Sequence, residues 1–323
     1  MSDPLLSVRD LTTRFRTERG TVTAVDRVSF DVEAGETLAI VGESGSGKSV
    51  TAMSILRLIP TPPGRIESGE IMFDGQDLLK LSDAGIRAVR GDRIAMIFQE
   101  PMSSLNPAIT IGRQVAEPIN LHRGTPWGKA IGMARDLLAK VHIPDAESRV
   151  SAYPHQFSGG MRQRAMIAMA LACNPQLIIA DEPTTALDVT VQAQILDLLK
   201  ELAGGTRSAL ILITHDLGVV ARYADRVVVM YGGRVVESAP ATELYARPRH
   251  PYTRGLMASV PKVDGDTNQR LVPIEGQPPD LAALPPGCAF APRCRHATER
   301  CASERPELRD IGARHRVACL FDL

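Results

Sequence analysis

The stretch Gly42-Glu43-Ser44-Gly45-Ser46-Gly47-Lys48-Ser49 carries glycine, lysine and serine at every fixed position of the pattern G-x-x-x-x-G-K-[ST]. Those residue types handle phosphate. Glycines let backbone N–H groups turn inward as a nest for phosphate oxygens. A helix beginning at the end of such a loop adds favourable potential for an anion. Lys48 is placed to reach the β- and γ-phosphates of a nucleotide, and Ser49 to bind Mg²⁺. A Gly/Ser-rich turn is the bland alternative, but the fixed positions and both flanks match the binding motif.

Two further clusters have chemical potential. Leu177–Ala180 is an apolar strand that delivers Asp181 and Glu182 at its C-terminal end, the edge at which a parallel sheet binds ligands. Asp181 suits Mg²⁺, directly or through water, and Glu182 suits orienting or deprotonating an attacking water. Alone this pair is weak, since acidic strand ends facing solvent are common. The other cluster is Cys288, Cys294, Cys301 and Cys319, four of the 5 cysteines in a chain of 323 residues. Clustered thiolates in a reducing compartment point to a metal or cluster site. Structural zinc favours tight pairs spaced by two to four residues, and none occurs here. A looser all-cysteine set is compatible with a [4Fe–4S] cluster, with Zn²⁺ the alternative and four packed free thiols the bland reading. Cys173, outside the group, reads as a buried apolar residue.

The elements that must position these residues follow from patterning. Leu6–Phe15 and Val28–Val32 read as strands, and Thr37–Val41 as a compact apolar strand entering the glycine loop. A helix over Ser49–Leu58 ends at Pro60, Pro62 and Pro63. Strand signals return at Glu70–Phe73 and Ile94–Phe98, and residues 110–172 read as mostly helical. Leu177–Ala180 and Ala209–Thr214 are buried strands separated by a helix over Val191–Leu202, an alternation that implies a parallel sheet. A hairpin over Val227–Glu237 turns at Gly232-Gly233. Beyond Pro248 the composition shifts toward Pro, Arg and Cys, which places a boundary there.

Composition narrows the class. With 37 basic and 37 acidic residues the formal charge is +0, so no basic excess advertises a nucleic-acid backbone. The N-terminus has no apolar segment of signal-peptide type. The longest apolar runs, Leu177–Ala180 and Ala209–Ile213, fall far short of the ~20 residues that span a bilayer. A cytosolic chain is expected.

The stretch Phe157-Ser158-Gly159-Gly160-Met161-Arg162-Gln163-Arg164 resembles the signature sequence of ABC-type ATPases, and it precedes the acidic strand as in that family. Gln99 in IFQEP resembles the Q-loop glutamine, Ala186-Leu187-Asp188 the D-loop, and His215 in LITHDLG the switch histidine. Phe15 is the candidate aromatic for stacking on adenine, with an inserted turn, Arg16–Thr23, before the next strand. The resemblance covers about residues 5–240. Phe157 and Met161 depart from the commonest form, LSGGQ, while the Ser158-Gly159-Gly160 core is intact. That core sits before a helix-like run, Met161–Cys173, and would make a second anion-binding surface.

The resemblance implies an α/β P-loop NTPase fold with a mixed sheet, an N-terminal antiparallel β-subdomain, a helical signature subdomain and a small Cys-rich C-terminal extension. It implies ATP contacts by Gly42, Glu43, Ser44, Gly45, Ser46, Gly47, Lys48, Ser49 and Val50. Mg²⁺ contacts would come from Ser49, Gln99 and Asp181, and catalytic roles from Glu182, His215 and Gln99. Ser158, Gly159, Gly160 and Asp188 would meet nucleotide across a dimer. One cradle and one signature then require a second copy or a sister ATPase subunit.

EPMSSLNP (Glu100–Pro107) and RHPYTRGLMASVP (Arg249–Pro261) resemble the ATP-binding subunits of dipeptide and oligopeptide importers. The expected arrangement is an ATPase domain over 1–248 and an importer-type extension over 249–323. The chain would act at the cytoplasmic face of the inner membrane, peripherally, on two permease subunits and indirectly with a solute-binding protein. No nucleic-acid partner is expected. Met102 and Leu105 fit either a partner helix or plain core packing. A soluble ABC ATPase acting on nucleic acid or ribosomes is the alternative class. Nickel or glutathione import is the alternative cargo. Some importer ATPases of this type hold a [4Fe–4S] cluster, which the cysteine tail here resembles.

Overall fold

A computed structural model describes residues 3–18, 20–185, 187–259 and 273–322. Ala186 of the D-loop-like stretch, and Val260 and Pro261 of the importer-like stretch, lie outside the described residues. The strands in chain order are β1 (Leu6–Thr17), β2 (Gly20–Val32), β3 (Thr37–Val41), β4 (Gly64–Phe73), β5 (Gln76–Asp77), β6 (Ile94–Ile97), β7 (Leu177–Asp181), β8 (Ala209–Thr214), β9 (Arg226–Tyr231), β10 (Arg234–Pro240), β11 (Arg309–Asp310) and β12 (Arg316–Val317). The chain divides into two compact units. One comprises Met1–Val32, Thr37–Leu79 and Ile213–Leu323; the other comprises Glu33–Glu36 and Lys80–Leu212.

In the first unit an antiparallel sheet runs in the order β2-β1-β4-β5. Its β1–β2 hairpin is longer than the sequence predicts. Phe15 pairs with Val22, Arg16 with Thr21 and Thr17 with Gly20, so 16–17 and 20–23 are strand and most of the expected inserted turn is ladder. Register shifts between Val8 and Arg14 re-aim the strand, and bulges of this kind leave few patterning cues. The same unit holds a mixed arrangement. β3 pairs parallel with β9, from Leu38 with Arg226 to Val41 with Val229. β9 pairs antiparallel with β10 across Gly232 and Gly233, as predicted, and both glycines take positive φ (58° and 79°). All five residues of β3 are buried, as befits a strand covered on both faces.

In the second unit β6 and β7 pair in parallel, Ile94 with Leu177 through Ile97 with Ala180. Helices occupy Ile111–Arg123, Trp127–Lys140, Gly159–Ala170 and Val189–Thr206. The Trp127–Lys140 helix buries Ala130, Ala134 and Leu138, one stripe at four-residue spacing. The Val189–Thr206 helix exceeds the predicted 191–202, because Asp188 caps it by accepting from Val191 N–H at 2.9 Å. Among the described residues no helix is long and apolar enough to cross a membrane.

The C-terminal residues belong to the first unit, and buried polar contacts fasten them there. Glu237 on β10 is fully buried. Its carboxylate accepts from Arg249 N–H (2.6 Å), His250 N–H (2.9 Å) and His315 Nε2 (2.7 Å). β12 pairs with β10 at the same place, Val317 opposite Glu237. His250 then caps the helix Pro251–Ala258, its Nδ1 accepting from Tyr252 N–H at 3.1 Å. Burial pushes the His250 pKa from 6.5 down to about 3, so the ring is neutral.

This makes the fold acid-sensitive in a defined window. In the unfolded chain His250 takes a proton below 6.5, while the folded chain resists it until about pH 3. The contribution is intact above the higher value and lost as pH falls toward the lower, at about 1.4 kcal/mol per pH unit. Urea unfolding at a series of pH values should show that slope. His250→Asn, which keeps a cap acceptor, should flatten it, and an unchanged slope would remove His250 from the acid response.

Candidate functional site

The loop 42–49 leaves the end of β3 and opens the helix Lys48–Ile55. Two of its glycines are obligatory. Gly42 has φ +152°, and a Cβ there would lie 2.3 Å from Met230 O. Gly47, the helix N-cap, has φ +99°, and its Cβ would lie 2.4 Å from Ala24 O. The chain therefore curls tightly against β9 and β2 with no room for side chains. Lys48 is 5% exposed, and its Nζ donates to Gly42 O (2.8 Å) and Glu43 O (3.0 Å), so its charge lies inside the curl. Ser46 Oγ is buried with no hydrogen-bond partner among the described residues. An orphaned hydroxyl costs about 1–3 kcal/mol, and an anion oxygen would satisfy it. The cradle thus fits phosphate.

In the second unit Asp181 ends β7 and is buried, while Glu182 follows at φ +46°, a left-handed conformation that non-glycine residues seldom take. Gln99 Nε2 donates to Glu182 Oε2 at 2.9 Å, bringing together two residues predicted separately. Thr185 Oγ1 donates to the same oxygen at 3.1 Å. Sequence reasoning missed Thr185. Its signal was present in the short turn Glu-Pro-Thr-Thr, since Thr185 N–H also bonds to Glu182 O at 3.2 Å.

Ser158 caps the helix Gly159–Ala170, its Oγ accepting from Met161 N–H at 3.3 Å. The helix starts two residues before the predicted Met161, inside the glycine pair. Ser158 and Gly159 are exposed, and the hydrophobic Phe157 before them is buried. A Cβ on Gly160 would approach Val191 to 3.2 Å, so small residues allow the two helices to meet closely. Asp188 is exposed beside this surface's neighbouring helix, and His215 is exposed just beyond β8. Val50 lies in the first turn of the Lys48–Ile55 helix. Phe15 is half-buried and lines a cavity with Arg14, Thr21, Pro62 and Gly64; no residue of the loop 42–49 lines it.

The four C-terminal cysteines are free and line one small cavity together with His250 and Phe290. Burial pushes the thiols of Cys288, Cys294 and Cys319 up. The four-cysteine [4Fe–4S] or Zn²⁺ site expected from the sequence gains no support here: among the described residues no group of three or more His, Cys, Asp or Glu could hold a metal ion. The four thiols line a shared cavity. Cys173 is buried, as predicted, with Arg123 Nη2 donating to its carbonyl at 2.8 Å.

Comparison with known proteins now decides the family. Residues 25–185 match the family described as ABC transporter, and residues 236–301 match "Oligopeptide/dipeptide transporter, C-terminal region". The oligopeptide transport ATP-binding protein OppD of Bacillus subtilis is 51% identical over 97% of this chain and 87% of its own length. The dipeptide transport ATP-binding protein DppD of the same organism is 50% identical over 98% and 94%. The chain belongs to the ABC transporter ATP-binding family. Among solved structures, the dimeric ATP-binding cassette MJ0796 bound to ADP and Pi superposes with a TM-score of 0.66 at 28% identity, over 73% of this chain and 98% of that one. The ABC ATPase fold with its mixed sheet and antiparallel N-terminal sheet is thereby established for this ABC ATPase.

The orphaned hydroxyl gives a test. Ser46→Ala removes an unsatisfied buried group, so the protein without nucleotide should gain stability, by about 1 kcal/mol. Its ATP affinity should fall several-fold. Thermal unfolding with and without ATP reads both effects, and equal shifts in the two conditions would contradict the phosphate-facing role.

Proposed function

We propose that this chain is the ATP-hydrolysing subunit of a membrane importer for dipeptides or oligopeptides. The observation that carries it is near full-length identity of about one half to OppD and DppD, spanning both the ATPase region and the C-terminal extension. The division into an ATPase over 1–248 and an extension over 249–323 is part of this reading. Two permease subunits, a solute-binding protein and a cytoplasmic-face location follow from the same kinship. Phe15 is the ring offered to adenine.

The mechanism uses residues with the observed chemistry. Lys48 turns its ammonium from its own loop's carbonyls to the β- and γ-phosphates, while the loop 42–49, apart from the Glu43 N–H held by Tyr252, supplies N–H groups. Mg²⁺, whose preference is for hard oxygen ligands, would be held by Ser49, Asp181 and Gln99 and would neutralise charge on the transferred phosphoryl group. Glu182 orients the attacking water once Gln99 and Thr185 release its oxygen, and His215 contacts the γ-phosphate. Ser158, Gly159, Gly160 and Asp188 meet the nucleotide of a second subunit, so ATP closes a dimer like that of the MJ0796 cassette.

The thiol cavity is read as the seat of a [4Fe–4S] cluster. Structural zinc favours tight cysteine pairs, and the spacing here contains none. Cys288, Cys294, Cys301 and Cys319 would hold the iron–sulfur cluster, one thiolate from each. The raised thiols would lose protons on loading, which couples assembly to pH. Iron and acid-labile sulfide, each at about four per chain after anaerobic purification, are expected; zinc alone at one per chain would overturn the cluster.

For the ATPase itself, Glu182→Gln should bind ATP and dimerise while turnover falls at least about 100-fold. Full turnover in that variant would remove Glu182 from its role. Co-purification with membrane permeases tests the importer reading, and stimulation by DNA or ribosomes without membrane association would replace it.

A further inference from the structure

The loop residue Glu43 is held from outside the loop at two points. Its backbone N–H donates to Tyr252 Oη at 2.8 Å. Its carboxylate takes a bidentate pair from Arg293, Nη1 to Oε2 at 2.6 Å and Nη2 to Oε1 at 3.0 Å. Arg293 is itself locked: Nε donates to Glu275 O (3.0 Å), Nη2 to Ile274 O (3.3 Å) and Nη1 to Tyr231 Oη (3.3 Å). Its side chain is only 5% exposed. Both Tyr252 and Arg293 come from the C-terminal extension, 209 and 250 residues along the chain from Glu43. Arg293 ends the short turn Ala291–Arg293, and Cys294 of the thiol cavity follows at once.

We propose that Arg293 and Tyr252 are positioning residues for ATP, which preset the phosphate loop through Glu43 without touching the nucleotide. The physical need is specific. Lys48 tethers the loop from inside, through Gly42 O and Glu43 O. A triphosphate draws the ammonium away, and the internal tether goes with it. A bidentate guanidinium–carboxylate pair with low exposure fixes both distance and orientation. Residue 43 therefore keeps its place while Lys48 changes partner, and binding does not have to order the loop. The Glu43 carboxylate holds the Arg293 guanidinium above its ordinary range, consistent with an intact pair.

This inference rests on the reading of 42–49 as the nucleotide cradle, and the test separates the two. Full-length Arg293→Met, Glu43→Gln, the double variant, Tyr252→Phe and Lys48→Ala are compared by ATP binding, KM for ATP and thermal unfolding. Arg293→Met should raise the Kd and KM for ATP about tenfold, with turnover at saturating ATP within about twofold of wild type. Glu43→Gln should weaken ATP equally, and the double variant no further, since both remove one interaction. Arg293→Lys should restore part of the affinity. Tyr252→Phe, which deletes one hydroxyl, should weaken ATP a few-fold and carries the test if Arg293→Met fails to fold. Wild-type ATP affinity in folded Arg293→Met, or multiplying effects in the double variant, overturns the anchor. Normal ATP binding by Lys48→Ala overturns the cradle itself.

Discussion

A triphosphate concentrates negative charge that water normally solvates, and a protein can match it only with dipoles and cations fixed in advance. Here that constraint falls on residues 42–49, which leave β3 and open the helix that begins at Lys48. The backbone must curl tightly to offer N–H groups to phosphate, and the curl runs through conformations at Gly42 and Gly47 that side chains would block against Met230 O and Ala24 O. Everything around the loop serves that curl. β3 is buried along its full length, so the loop leaves a rigid stem. β9 and β2 supply the walls against which the curl is pressed.

The C-terminal extension is joined to this stem by carboxylates as much as by apolar burial. Glu237 gathers two backbone N–H groups and His315, and Glu43 gathers Arg293 and Tyr252. Each carboxylate would be costly to bury alone, and removing one partner of such a pair leaves an uncompensated charge. Between them lies an aromatic group. Tyr231 of β9 meets Tyr252 at 4.5 Å and Phe290 at 5.2 Å between ring centroids. Offset and edge-on pairs of this kind add about 0.5–1.5 kcal/mol each beyond area burial. The segment that carries the cysteines is thus packed onto the strand beside the phosphate loop.

Local chemistry was legible in the sequence, and long-range closure was not. The glycine loop, the apolar run into Asp181–Glu182 and the Gly232-Gly233 turn each announce themselves within a few residues, because backbone conformation there is fixed by neighbours. Ser158 as a helix cap reads the same way. The β1–β2 hairpin was read short because bulges break the two-residue alternation on which strand patterning depends. Cysteine density named a site, yet spacing says nothing of whether thiols converge on a point or line a cavity. The Glu43–Arg293 pair leaves no trace, since a charge pair across 250 residues has no periodicity to detect.

The two reacting charges share one design. Lys48 is held by carbonyls of its own loop, and Glu182 by the amide of Gln99 and the hydroxyl of Thr185. The carbonyls at Lys48 and the amide and hydroxyl at Glu182 are groups that phosphate and water can replace. Each contact is a charge-assisted hydrogen bond to a single group, without the bidentate geometry that fixes Arg293 on Glu43. The strong bidentate pair is placed one step away, at Glu43, where it steadies the backbone without neutralising the lysine. Replaceable partners at Lys48 and a bidentate pair at Glu43 let the loop change partners while keeping its shape.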